Sequence, residues 1–268
     1  MKRLWHRTAL AALIALAPLS AAAAPAAVGS PALAWQSMGT LSPAEGQKEN
    51  IGVAGLLQGT FGDYIIVGGG ANFPAGGPLT GGAKVTYPDV YVLRAAEAGL
   101  TETDHAQMPY PVGYGVSATT PDGVLYFGGS TDESGARAVT RLTAPNGKLR
   151  TETLPALPFA LQNGVAAYDK DTVYLGGGKQ DGVLSKKFYT YDIKTGTLTS
   201  LPDFPGEARE QSVAEFLGGR FFVFSGGANV AYTDGYAYDP KAQTWTSVAG
   251  PNVNGTPVSL LGARAVRL

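Results

Sequence analysis

Four times this chain writes a short β-rich apolar run that ends in a Gly-Gly pair: Ile65 to Gly69, Leu125 to Gly129, Val173 to Gly177 and Val223 to Gly227. The first interval is roughly 60 residues and the next two are roughly 50, a spacing at which whole supersecondary units recur. A unit of that size cannot bury an apolar face alone, so its copies must stack on one another. The 37 glycines suit turn-rich β structure and do not suit a helical protein.

Each unit reads as four antiparallel strands. A run of small residues comes first, at 52–56, 115–119, 164–168 and 212–216. A hairpin signal follows, carried by Gly62-Asp63, Asp122-Gly123, residues 169–171 and Gly218-Gly219. The Gly-Gly strand is second. A third strand is expected at 89–93, 138–142, 188–193 and 235–239, and an outer fourth at 149–154, 197–201 and 244–248, blurred near 100–104 in the first unit. Four such strands make one blade of a kelch-type β-propeller. Residues 34–38 resemble a further outer strand and residues 262–266 a further inner strand. The expectation is therefore an all-β propeller of four blades plus two orphan strands. Closing a ring of six takes roughly 80–100 more residues at this repeat length, so the chain reads as truncated.

Residues 1–23 read as a signal peptide: Lys2, Arg3 and Arg7 precede an apolar stretch at 8–19 and a small-residue stretch at 20–27, with cleavage expected after Ala23. Residues 24–268 are then the incomplete propeller domain, and the expected location is the periplasm. The net charge of −1 gives no electrostatic case for nucleic acid or for an anionic membrane. There is no Cys, and His6 and His105 are the two histidines. Thiolate chemistry, zinc fingers and multi-His metal sites are excluded, and His105 is expected on a surface loop. No cofactor or metal is expected, and oligomeric state is not legible.

Strand direction limits what can reach a ligand. The start of each first strand and the end of each second strand share one rim. Glu49 to Ile51, Val112 to Tyr114, Leu161 to Asn163, Arg209 to Gln211 and Leu260-Leu261 fall there, with Ala71 to Phe73, Ser130 to Asp132, Lys179 to Asp181 and Ala228 to Val230. The polar groups among them suit a small polar ligand such as a sugar. Loop ends are also polar for reasons of turn chemistry, and Asn tolerates the left-handed conformation.

Residues 52–55 with 69–74, and 114–117 with 127–130, resemble the cyclically permuted mutarotase family, kelch proteins that act on sialic acid. The likeness runs from about Asn50 to the end and is most specific in the first two blades. It implies a six-bladed ring and a cofactor-free isomerase that interconverts the α and β anomers of N-acetylneuraminate by acid–base ring opening. It implies Arg209 for the sugar carboxylate and Asn72, Tyr114, Asn163, Gln211 and Asn229 as substrate-binding residues, and Glu210 is the residue here that could stand in as a base. The family's catalytic Glu lies in a Gly-Glu-x-Lys-Pro-Gly motif that this sequence lacks. The alternative is a non-enzymatic kelch module that binds a glycan or a protein partner.

Overall fold

The computed structural model describes residues 37–97, 99–129 and 133–266. The expected leader, most of the expected N-terminal outer strand and Ser130 to Asp132 lie outside them. Four four-stranded antiparallel sheets follow one another along the chain, each with its strands in sequence order. The first holds β1 (Leu57–Phe61), β2 (Tyr64–Gly68), β3 (Asp89–Ala96) and β4 (Gly99–Gln107). The second holds β5 (Val116–Thr120), β6 (Gly123–Phe127), β7 (Val139–Thr143) and β8 (Arg150–Leu154). The third holds β9 (Val165–Asp169), β10 (Thr172–Gly176), β11 (Phe188–Asp192) and β12 (Leu198–Ser200). The fourth holds β13 (Val213–Leu217), β14 (Arg220–Phe224), β15 (Gly235–Asp239) and β16 (Thr244–Val248). This is the blade order of a kelch-type propeller.

The hairpins set the register. In each blade a two-residue turn joins the first two strands, so Phe61 pairs with Tyr64 and Leu217 with Arg220. Gly218 and Gly219 both have positive φ, as a tight turn of matching twist requires. This arithmetic corrects the first blade. Its inner strand is β1 at 57–61, not 52–56, because Gly62-Asp63 must follow the strand directly. The small-residue run instead lies across the end of that strand, where Ala54 bridges Ala71.

Three cores lie between the blades. Leu57, Ile66 and Val92 meet Val124, Tyr126 and Leu142 between the first and second. Leu125 and Phe127 meet Val173, Leu175 and Tyr191 between the second and third. Tyr174 and Phe188 meet Phe216, Phe221 and Val223 between the third and fourth. The side chains of β6 alternate between the first two cores, so the strand is buried along its whole length, as a strand covered on both faces must be. Burial of one large apolar side chain of this kind contributes about 1.5–3 kcal/mol.

The inner strands β1, β5, β9 and β13 stand side by side, each against the next. Small residues on them let the blades approach the axis. His105 lies on β4, not on a loop; its ring stacks on Tyr91 at 4.5 Å and its Nε2 meets the buried Asp89 carboxylate at 2.8 Å. Of the expected N-terminal outer strand, Ser37 and Met38 are described and are not in a strand. The Met38 carbonyl accepts from the Leu100 N–H on β4.

Candidate functional site

Each of the four blades, and the segment that follows the fourth, contributes one residue in left-handed conformation to a ring at the same end of the inner strands. The residues are Gly55, Tyr114, Asn163, Gln211 and Gly262, with φ of 69°, 63°, 53°, 58° and 65°. A chain of backbone hydrogen bonds joins them. The N–H of Tyr114 donates to Gly55 (2.7 Å), that of Asn163 to Tyr114 (2.6 Å), that of Gln211 to Asn163 (2.8 Å) and that of Gly262 to Gln211 (3.0 Å). A second set locks each blade to the next: Gly70, Gly129, Gly178 and Gly226 donate to the carbonyls of Val112, Leu161, Arg209 and Leu260. Residues 260–266 thus enter a fifth inner position with the same bonds as the three before it, although 263–266 pair with no strand among the described residues.

Three of the five ring positions carry side chains. A non-glycine residue at φ near +60° is strained by about 1–2 kcal/mol, and such strain concentrates where ligands bind. Tyr114, Asn163 and Gln211 line a cavity of about 470 Å³ with Gln58, Ser212 and Arg264. A second cavity of about 540 Å³ continues along the inner strands. The two share Gln58, Ala166, Ala214, Arg264 and Ala265. The first volume suits a small polar ligand.

The remaining sequence candidates fall elsewhere. Glu210 stands behind the ring: its Oε2 accepts from Asn163 Nδ2 at 2.7 Å, and Lys179 Nζ lies 3.4 Å from its Oε1. Arg209 is only 3% exposed. Its guanidinium grips both oxygens of Asp234, donates to the carbonyls of Glu207 and Ser225, and lies between the rings of Phe204 and Tyr232. No donor face of Arg209 is left for a sugar carboxylate, so its expected role there is corrected. Asn72 also spends its amide on the protein. It donates to the Gly52 carbonyl at 2.7 Å and accepts from the Tyr87 hydroxyl at 2.7 Å. It borders a separate 210 Å³ cavity beside the first blade. Asn229 is exposed on the loop after the fourth Gly-Gly pair and lines neither cavity of the channel. One expectation about the rim shifts with the first inner strand: Val53 to Gly55, not Glu49 to Ile51, occupy the ring position of the first blade.

Sequence reasoning missed two groups. Lys84 places its ammonium 4.0 Å from the centre of the Tyr114 ring; it lies in the segment between β2 and β3, and nothing in the repeat aligns it with the rim. Arg264 projects at the junction of the two cavities. It was legible as part of an inner-strand pattern, but not as the cation of the channel.

A family model described as N-acetylneuraminate epimerase matches residues 154–268. Those residues form the third and fourth blades and the segment at the fifth position. Over them, the chain is similar to the N-acetylneuraminate epimerase family. An N-acetylneuraminate epimerase of Salmonella arizonae is 36% identical over 126 residues, 43% of this chain and 31% of that protein. Those of Shigella flexneri and Haemophilus influenzae are each 35% identical, over 101 and 102 residues, covering 35% of this chain and 27% and 26% of theirs. The matched stretch spans about a third or less of the length of these curated relatives. The family match supplies Asn163, Glu210, Gln211 and Arg264. Tyr114, Gly55 and the first two blades lie outside it.

Proposed function

We propose that this chain binds a sialic-acid-type sugar at the ringed end of its channel and interconverts the two anomers. The observation that carries the reading is the coincidence of two facts: the epimerase match falls on the blades that supply Asn163, Glu210 and Gln211, and two of these three line the cavity. The reaction needs a base to take the anomeric hydroxyl proton and an acid to protonate the ring oxygen as the ring C–O bond breaks. The open-chain ketone then recloses on its other face, and both protons return. Glu210 is the one carboxylate hydrogen-bonded to a ring side chain among the described residues, so we assign it the base role. We assign the acid role to Lys179, whose Nζ lies 3.4 Å from Glu210 Oε1.

The test dissolves one crystalline anomer of N-acetylneuraminic acid and follows its decay by proton NMR with and without the protein. Acid–base help of this kind contributes about 10²–10⁴-fold, and Glu210→Gln should lose that gain while still binding sugar. Equilibration at the buffer rate overturns the enzymatic reading. Binding without acceleration supports the second reading, a glycan-binding module. We further propose that the protein works in the periplasm. The basic, apolar and small-residue order of residues 1–27 supports this, and N-terminal sequencing of the periplasmic form tests it; a start at Met1 refutes export with cleavage.

A further inference from the structure

The cavity inside the ring holds a charge that its own walls do not balance. Tyr114, Asn163, Gln211, Gln58 and Ser212 are neutral, and no Asp or Glu among the described residues lines it. Arg264 is its one ionised lining residue. Among the described residues, no carboxylate pairs with this guanidinium, whereas Arg137, Arg141 and Arg209 each have one. Its nearest electrostatic neighbour is the Tyr126 phenol, and crowding by the channel walls lowers its pKa by stripping water from the charged form. A guanidinium remains cationic at neutral pH even so. It is also open to the channel rather than sealed in the core.

Two further charges give the cavity a direction. Glu215 lines the second cavity, on the far side of Arg264, and its Oε1 is held by the Phe216 N–H at 2.8 Å. Lys84 sits over Tyr114 at the ring. An anion is therefore repelled from the deeper end and attracted at the ringed end.

We propose that Arg264 is the anion-holding residue of this channel, and that it selects a small polar monocarboxylate over its neutral counterparts. The inference deepens the reading of the same site given above and rests on it for the identity of the sugar. The planar fork of Arg264 takes a carboxylate bidentately, and the amides of Asn163 and Gln211 then face the rest of the ligand. This places the recognition that the sequence assigned to Arg209 on the fifth inner position.

The test is calorimetric titration of the full chain with N-acetylneuraminate, its methyl ester, glucuronate and N-acetylmannosamine. The wild type should bind the acid about 10–100-fold more tightly than the ester. Arg264→Gln should bring the acid down to the ester's affinity. Arg264→Lys, which keeps the charge but loses the fork, should fall between. Equal affinity of acid and ester for the wild type overturns the proposal, and this measurement needs no variant to fold. Undiminished acid binding by Arg264→Gln overturns it equally, as does failure of the wild type to bind either carboxylate. Arg264-dependent binding of glucuronate without binding of N-acetylneuraminate leaves the anion site standing and removes the sialic acid reading.

Discussion

Replacing Asp234 by Asn separates a structural Arg209 from a ligand-binding one. Arg209 is 3% exposed, and its guanidinium donates to Asp234 and to the carbonyls of Glu207 and Ser225. Its Nη2 lies 3.0 Å from Asp234 Oδ2, its Nε 2.9 Å from the Glu207 carbonyl and its Nη1 3.1 Å from the Ser225 carbonyl. Asp234→Asn keeps the shape but removes the balancing charge and turns one acceptor into a donor that faces other donors. Breaking a buried pair from one side costs about 3–5 kcal/mol. Because the Asp234 side chain is 37% exposed, water recovers part of this, and we expect the low end, about 3 kcal/mol. At about 2–4 °C per kcal/mol for a domain of this size, the melting midpoint should fall by about 6–12 °C. Circular dichroism melts and urea titrations measure it. Sugar affinity should not change below the transition, since Arg209 is outside the cavity. The double variant Arg209→Met with Asp234→Leu should recover most of the loss, as apolar replacements of buried pairs do. An unchanged midpoint for Asp234→Asn, with sugar binding lost, refutes the reasoning and returns Arg209 to the ligand.

Gln211→Gly relieves a left-handed non-glycine residue worth about 1–2 kcal/mol against a glycine entropy cost of about 0.5–1 kcal/mol; the urea midpoint should hold or rise while sugar affinity falls, and unchanged affinity removes Gln211 from the site. Gly55→Ala and Gly262→Ala carry the same backbone strain, but a Cβ on Gly55 strikes the Tyr114 ring whereas one on Gly262 meets nothing within 4 Å. Only the first should weaken sugar binding by titration, and equal effects would show that the Tyr114 ring does not matter. Asp192 is held below the usual carboxylate range by the backbone N–H and hydroxyl of Thr195, and Asp239 by the N–H groups of Ala242 and Lys241. A folded pKa below the unfolded value of about 3.9 adds stability that is present above that value and lost as pH falls through the folded one. Urea midpoints should therefore drop on acidification below about pH 4, and the double change to Ala should flatten that slope.

The blades were legible because two signals agreed in each: a Gly-Gly strand and a two-residue turn before it. In the first blade they competed with a third signal. Residues 52–56 copy the small-residue look of 115–119, and that likeness outweighed the turn at Gly62-Asp63, which alone places β1 at 57–61. The ring was half legible. Tyr114, Asn163 and Gln211 follow from strand direction. Their neighbours Arg209 and Asn72 also lie near blade ends, but whether a side chain turns to the channel or into the protein depends on partners far along the chain. Asp234 lies 25 residues from Arg209, and Tyr87 lies 15 from Asn72. No local pattern announces either.

The distribution of glycine around the ring explains why its ligand-facing groups gather on one arc. A left-handed residue is needed at all five positions to pass the hydrogen bond from one blade to the next. Glycine meets that need without strain, and it fills the two end positions, 55 and 262. Tyr114, Asn163 and Gln211 meet it with strain at three consecutive blades. Turn chemistry accounts for Asn163 but not for an aromatic ring or a Gln at φ near +60°. The ring of Tyr114 also depends on its bare neighbour, since any Cβ on Gly55 would displace it. Glycine at one position is thus the condition for a side chain at the next. On the other end, Gly262 leaves the approach to Arg264 open. The two glycines frame a short arc of neutral hydrogen-bonding groups, with a guanidinium at its foot and an ammonium at its rim. Such an arc grips a small ligand that is polar along its length and anionic at one end.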